Sequence, residues 1–187
     1  MAEHSTAATV NAVPNQPHRD DMRRVLGHVP TSVAVVTTTL DGVPVGSTVG
    51  TFTSVSLDPP LVAFFSQHTS DTLAAVRTAG RFAVNVLAAD QADTCMLFAH
   101  KADDRFDRAP WQPGPHQNPH LHGALAVLEC HVEAVTLTGD HTMVLGRVHE
   151  LDAPRAGTEP LVFWRGTLHG VAHTPPDHPH YRARVAD

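Results

Sequence analysis

The sequence predicts a mainly β chain that closes into a barrel and carries a few short helices. Three observations lead to that reading. Val33 to Thr39 is rich in β-branched residues and runs through Asp41-Gly42 into Val43-Pro44-Val45, the pattern of a hairpin whose type I′ turn needs positive φ at both central residues. Leu128, Cys130, Val132 and Ala134 alternate with Glu129, His131 and Glu133, which predicts a half-buried strand with the charged set facing water. Strands joined by short turns recur along the chain, about seven or eight in all, and closure into a barrel removes their exposed edges.

In chain order, residues 1–18 are polar and without period and read as a flexible arm. The folded domain is expected over 19–172, with a Pro- and His-rich tail over 173–187. Asp20 or Asp21 is expected to cap a short helix through Val25 and Leu26 that ends at Gly27. Phe52 to Ser56 and Leu61 to Ser66 read as strands, and the chain is expected to leave the sheet at the intervening Leu57-Asp58-Pro59-Pro60. Ser70 or Thr69 caps a helix through Leu73 and Val76, with Gly80 as its terminator. Arg81 to Leu87 is a strand, and Asp90 is expected to cap a helix through Met96, Leu97 and Phe98. Residues 101–122, with Trp111 and four prolines, read as an ordered loop or lid. Ala124 to Thr138, His141 to Leu151 and Leu161 to Val171 read as the remaining three strands.

Composition excludes several classes. A chain of 187 residues with 42% hydrophobic content fits one folded domain with appendages. A net charge of −6 without a basic stripe argues against nucleic acid and membrane surfaces as partners. No stretch approaches the length of a membrane span, and the opening residues lack a secretory pattern, so the expected location is cytoplasmic. Cys95 and Cys130 read as buried free thiols. The chain has 15 histidines, but His116, His120 and His122 and the tail pair His178 and His180 lack a metal-ligand spacing, so no metal is expected. No Gly-x-Gly-x-x-Gly follows a strand, and neither a nucleophile elbow nor a Walker lysine is present.

The most informative stretch is Gly46 to Pro60, with hydroxyls at 47, 48, 51, 53, 54 and 56. Two readings fit it. The hydroxyls and backbone N–H groups could cradle a phosphate without a cationic cage, or the segment could be an edge strand whose hydroxyls face water. Ser70 and Thr72 divide similarly, between plain helix capping and an anion site at a helix N-terminus.

The segment resembles the signature of the flavin reductase family with the FMN-binding split-barrel fold, and departs from it at Gly50, where Asn or Ser is usual. Further pieces follow in the family's order: Pro30 to Thr37, Ser70-x-Thr72, Arg81 to Leu87, Gly139-Asp140-His141 and Pro160 to Gly166, so the resemblance spans roughly 22–171. It implies a split barrel, an obligate homodimer, and NAD(P)H-dependent reduction of FAD or FMN, with NADH favoured because no arginine cluster is committed to a 2′-phosphate. The reduced flavin would pass to a partner flavin-dependent monooxygenase component. Rival readings are a flavoenzyme that retains its flavin for its own substrate, and a non-enzymatic flavin- or haem-binding module.

By the same resemblance, Thr31, Ser32 and Val33 lie along the isoalloxazine edge. Thr48, Val49, Gly50, Thr51, Ser54, Val55 and Ser56, with Ser70 and Thr72, form the ring- and phosphate-binding surfaces. His141 is the family's histidine on the nicotinamide side, orienting the dinucleotide; the alternative is a surface turn histidine. Lys101, Arg105 and Phe106 match a basic-aromatic loop beside the flavin or, alternatively, a solvated charge run. Trp164 and Arg165 would flank the flavin or a partner subunit, and Leu168 stands where the family often has an aromatic residue.

Overall fold

Residues 16–155 and 157–172 are described by a computed structural model. The tail expected over 173–187 and most of the N-terminal arm lie outside them. The elements in chain order are α1 (Arg19–Leu26), β1 (Thr31–Ser32), β2 (Ala34–Leu40), β3 (Val43–Val49), β4 (Thr53–Leu57), β5 (Pro60–Gln67), α2 (Asp71–Ala79), β6 (Arg81–Val86), α3 (Ala92–Ala99) and α4 (Arg105–Arg108). Then come β7 (Trp111–Pro113), β8 (Pro119–Leu121), β9 (Ala126–Thr138), β10 (His141–Asp152), β11 (Leu161–Trp164) and β12 (Thr167–Gly170).

Seven strands form one antiparallel sheet in the order β3-β2-β6-β9-β10-β5-β4. The first and last strands of that order are neighbours in sequence but make no ladder with each other, so the barrel is open along one seam. Thr51, in the connection between β3 and β4, continues the β4–β5 register: its Oγ1 donates to Phe65 O (2.9 Å) and accepts from Phe65 N (3.0 Å). One side chain thereby satisfies both backbone groups of a residue just beyond the end of the β4–β5 ladder.

β2 has core on both faces, which is why its sequence is continuously β-branched rather than alternating. Ala34 and Val36 pack inside with Phe64, Phe82, Val84 and Val144, while Val33 and Val35 pack outside with Leu87, Cys95, Phe98 and Leu161. Both cysteines are buried free thiols. Gly146 on β10 is required by packing, since a Cβ there would collide with the Phe82 ring and lie 3.2 Å from Cys130 Cβ.

The Asp41-Gly42 turn has positive φ at both residues, 51° and 79°, as the sequence predicts. Five expectations are corrected. Helix α1 is capped by the His18 ring, which accepts from Asp20 N, while Asp20 and Asp21 sit in its first turn opposite Arg23 and Arg24. Asp90 does not cap α3; Gln91 holds that position, and Asp90 instead takes both guanidinium nitrogens of Arg155 at 2.9 Å. The chain does not leave the sheet at Pro59-Pro60, because β4 turns straight into β5 with Leu57 opposite Pro60. The prolines are tolerated at the end of an edge pair, where no neighbour needs their missing N–H. The stretch expected as one closing strand is a hairpin, β11–β12, turned by Arg165 and Gly166 at φ 50° and 81°.

The fifth correction concerns Glu129, expected to face water and found 2% exposed. Asn118 Nδ2 donates to it at 2.6 Å and His120 Nε2 lies 2.8 Å away. The segment 101–122 contains α4 and the β7–β8 hairpin, which covers that face of the sheet. Asn85, fully buried, ties the hairpin to the barrel: its amide donates to Val35 O and Pro119 O, and its Oδ1 accepts from Leu121 N. A buried carboxylate and a buried amide are both supplied with partners, as burial demands.

Candidate functional site

Two cavities share a wall made of Thr48, Val49, Gly50 and Ala99, where β3 ends at the seam and α3 packs against it. The first, of about 310 Å³, is polar: Ser47 and Thr51 from the β3 end, Ser66 and Gln67 from β5, Ser70, Lys101 and His141 line it. The second, of about 680 Å³, is mostly apolar, with Val33, Cys95, Met96, Phe163, Thr167 and Leu168 around it. Sizes in this range suit small-molecule ligands. The arrangement offers an apolar slot for a planar ring beside a polar chamber for its charged substituents.

The polar chamber draws on three devices. Ser70 caps α2, its Oγ accepting from Leu73 N at 3.3 Å, which leaves the N–H groups of Asp71 and Thr72 without intrahelical partners at the positive end of the helix. Among the described residues, Lys101 is the one lysine or arginine lining the chamber; its backbone takes φ 53°, and its Nζ lies 4.0 Å from Asp71. Ser47 and Ser66 have no hydrogen-bond partner for their hydroxyls among the described residues, so both are free to meet a ligand. Thr48 and Thr51 of the stretch are more committed than the sequence suggests: Thr48 Oγ1 donates to Cys95 O at 2.7 Å and Thr51 Oγ1 to Phe65 O at 2.9 Å.

His141 opens β10 on the far side of the chamber, opposite Gln67 in the β5 ladder. Its Nδ1 is 2.7 Å from Asp140 Oδ1, and Asp140 also faces Arg19 at 3.6 Å. The hydrogen bond from His141 is the main cause that holds the Asp140 carboxyl below its ordinary range. With Nδ1–H committed to a carboxylate, Nε2 is the nitrogen left for a ligand, as acceptor in the neutral ring and donor in the cation.

Of the residues singled out in the sequence, Thr48, Val49, Gly50, Thr51, Ser70, Lys101 and His141 converge on the polar chamber, and Val33 joins the apolar one. Thr31 and Ser32 stand behind the shared wall. Thr31 Oγ1 would lie 3.1 Å from a Cβ at position 50, and Ser32 Oγ donates to Phe52 O. Close approach by Thr31 gives a physical reason for Gly50. Thr72 is buried, so it could contribute only through its backbone. Phe106 lies beneath the floor, edge-on to Phe98 at 5.1 Å. Ser54, Val55 and Ser56 lie on edge strand β4 and line neither cavity; a register irregularity there leaves Val55 exposed. Arg165 also lines neither, its guanidinium stacking 4.7 Å from the Trp164 ring, although its neighbours Gly166 and Thr167 do.

Sequence reasoning missed Phe65, Ser66 and Gln67, which reach the site only because the seam brings the end of β5 beside β3. It missed Met96 and Cys95 as lining residues too; α3 presents them from its apolar face.

Comparison with known proteins identifies the fold and the family. Residues 26–172 match the flavin reductase like domain. The reductase subunit HsaB of a flavin-dependent monooxygenase from Rhodococcus jostii (strain RHA1) is 40% identical over 171 residues, 91% of this chain and 86% of that protein. The crystal structure of nitrilotriacetate monooxygenase component B from Mycobacterium thermoresistibile superposes with a TM-score of 0.81 at 36% identity, covering 86% of this chain and 92% of the other. The Streptomyces globisporus C-1027 NADH:FAD oxidoreductase SgcE6, solved with NAD and FAD fragments, superposes with a TM-score of 0.77 at 35% identity over 86% of this chain and 95% of its own. A mainly β split barrel, a domain match over most of the chain and this level of identity establish that the chain belongs to the flavin reductase family.

Proposed function

We propose that this protein is an NAD(P)H:flavin oxidoreductase, with NADH preferred, that reduces FAD or FMN and releases the product to a flavin-dependent monooxygenase component. The observation that carries the reading is the segment Thr48–Gly50, which lines both an apolar slot and an adjoining polar chamber that includes His141. When bound, the nicotinamide supplies hydride at C4 and the flavin accepts it at N5. The residues present fit such ligands. Val33, Met96, Phe163 and Leu168 offer apolar surface to a flat ring, while Ser47, Ser66, Lys101 and the first N–H groups of α2 face the polar side.

The task of the chain is to stack two rings at near-attack distance and to keep them there. The backbone at Val49 and Gly50 forms a side-chain-poor wall against which a ring can approach closely. His141 Nε2, with Nδ1 held by Asp140, orients the nicotinamide end. NADH is favoured because, among the described residues, the chamber is lined by Lys101 and by no arginine, and Lys101 already faces Asp71. Binding through hydroxyls, helix N–H groups and one cation suits a flavin that must leave after reduction.

The monooxygenase partner is supported by the relative HsaB, itself named a reductase subunit. Homodimerisation is supported by α1, which buries no residue and exposes Met22, Val25 and Leu26 at helical spacing (46, 56 and 54% exposed). That stripe continues toward Phe163 and Trp164, since Trp164 Nε1 donates to His28 O at the exit of the helix. We place the protein in the cytoplasm with its nicotinamide supply; no helix among the described residues is long and apolar enough to cross a membrane.

NADH oxidation measured with and without added free flavin tests the reading. Turnover that rises and saturates with added FAD or FMN supports it. A retained flavin with turnover indifferent to free flavin would favour a self-contained flavoenzyme, and bound flavin with no NADH turnover a binding module.

A further inference from the structure

His68 follows directly on β5, and its ring reaches across to the hairpin that carries His141. Nε2 lies 3.2 Å from Gly139 O, and Nδ1 lies 2.7 Å from Thr142 Oγ1. A carbonyl only accepts, so Nε2 carries a hydrogen; in the neutral ring Nδ1 then accepts from the Thr142 hydroxyl. One tautomer satisfies both bonds. The two anchor points bracket the Asp140–His141 pair, one residue before it and one after.

The tip of this hairpin has little else to hold it. Gly139 sits at φ 64°, and Gly139 and Asp140 are both exposed, so no packing fixes the turn. Thr138 Oγ1 donates to His141 O at 3.1 Å, which is a bond within the hairpin itself. Arg19 adds only an ion pair of 3.6 Å between exposed groups. Among the described residues, His68 is the one side chain from outside β9 and β10 that hydrogen-bonds the turn. Thr142, 2% exposed, is the buried end of the connection and Gly139 the exposed one.

We propose that His68 is a positioning residue for the nicotinamide side of the site. By tying Gly139 O and Thr142 Oγ1 to the end of β5, it fixes the backbone from which the His141 ring projects. Gln67, which lines the chamber beside it, is held in the same ladder opposite His141. The proposal rests on the role assigned to His141 above.

The test uses the full chain with FAD present and compares His68→Ala and His68→Gln with the wild type. The glutamine amide can donate to Gly139 O while its carbonyl accepts from Thr142, so it serves as the conservative rescue. Two readouts are taken: the KM for NADH with kcat, and the ring resonance of His141 in histidine-labelled protein, assigned with His141→Ala. His68→Ala is expected to raise the KM for NADH about five-fold, the net worth of roughly one hydrogen bond, with kcat and flavin affinity nearly unchanged. The His141 resonance should shift and broaden in His68→Ala and return toward its wild-type position in His68→Gln. A His141 resonance unmoved in folded His68→Ala overturns the proposal whatever the kinetics. A resonance that moves while the KM stays constant upholds the positioning role and counts instead against His141 as a nicotinamide contact. An equal loss of flavin affinity in His68→Ala would also overturn it, as a general disturbance of the seam. If His68→Ala does not fold, Thr142→Val removes the Nδ1 partner and must move the resonance of His141; a failure to do so overturns the proposal as well.

Discussion

Asp140 Oδ1 and His141 Nδ1 lie 2.7 Å apart at the rim of the polar chamber. The pair assigns one ring nitrogen to the protein and leaves the other for a ligand. Asp140→Asn replaces a charged acceptor by a neutral amide that can present its N–H₂ instead, so the ring loses its fixed orientation. We expect the KM for NADH to rise about five-fold or more with flavin affinity unchanged, measured by steady-state kinetics and flavin titration. Because the Asp140 carboxyl is held below its ordinary range, its pairing survives mild acid and fails only as pH falls through that lowered value.

Thr51 predicts a second outcome. Its hydroxyl serves both the N–H and the C=O of Phe65 just beyond the end of the β4–β5 ladder. Thr51→Val should lower the unfolding free energy by about 1 kcal/mol in urea titration, and Thr51→Ser should keep most of it. Equal stability of all three proteins would remove Thr51 as a support of the β5 backbone.

Gly50 predicts a third. A Cβ there comes within 3.1 Å of Thr31 Oγ1, tighter than ordinary contact, so Gly50→Ser must displace Thr31 or the wall itself. Flavin affinity should fall several-fold, equivalent to about 1 kcal/mol. Thr31→Ala combined with Gly50→Ser should recover most of the loss. Recovery read by isothermal titration calorimetry is the decisive comparison, because independent effects would add.

The far face of the sheet carries a pH dependence. His131, His149 and His116 cluster with ring centroids 4.2 Å (131 to 149) and 5.4 Å (116 to 131) apart, with Arg81 beside them and Glu150 3.8 Å from His116. Desolvation chiefly, then His149, His116 and Arg81, lower the His131 pKa, with Glu129 opposing. A histidine whose folded pKa is lowered binds its proton more readily when unfolded, so stability falls as pH drops below its ordinary value of about 6.5. Thermal unfolding followed from pH 7.5 to 5.5 should show a loss that His131→Asn reduces. An identical pH profile in the variant would exclude this cluster as its source.

How far the sequence foretold this molecule depends on the range of the interactions involved. Asp41-Gly42 was legible because a turn is set by its own two residues, and Ser70 and Gly80 bounded α2 for the same local reason. Glu129 was misread because alternation predicts a water-facing face, whereas the β7–β8 hairpin covers it from residues eight to eighteen positions earlier in the chain. The closing hairpin was hidden because Arg165-Gly166 lacks the usual Asn or Asp at the first turn position. At the site, part of the hydroxyl-rich stretch lines the polar chamber, but composition could not tell hydroxyls spent on structure, Thr48 and Thr51, from Ser47, which is left free. Phe65 to Gln67 carry no local signal; only the seam makes them part of the chamber.

The central claim is that one cleft holds flavin against the Thr48–Gly50 wall with the nicotinamide on its His141 side. Anaerobic mixing of flavin-loaded protein with increasing NADH, followed by the bleaching of oxidised flavin, tests it most directly when wild type and His141→Ala are compared. The prediction is equal flavin affinity in the two proteins, with the variant needing about ten-fold more NADH to reach half its maximal reduction rate, a loss of about 1.4 kcal/mol. An NADH dependence identical to wild type, or a variant that loses flavin before it loses NADH, would contradict it.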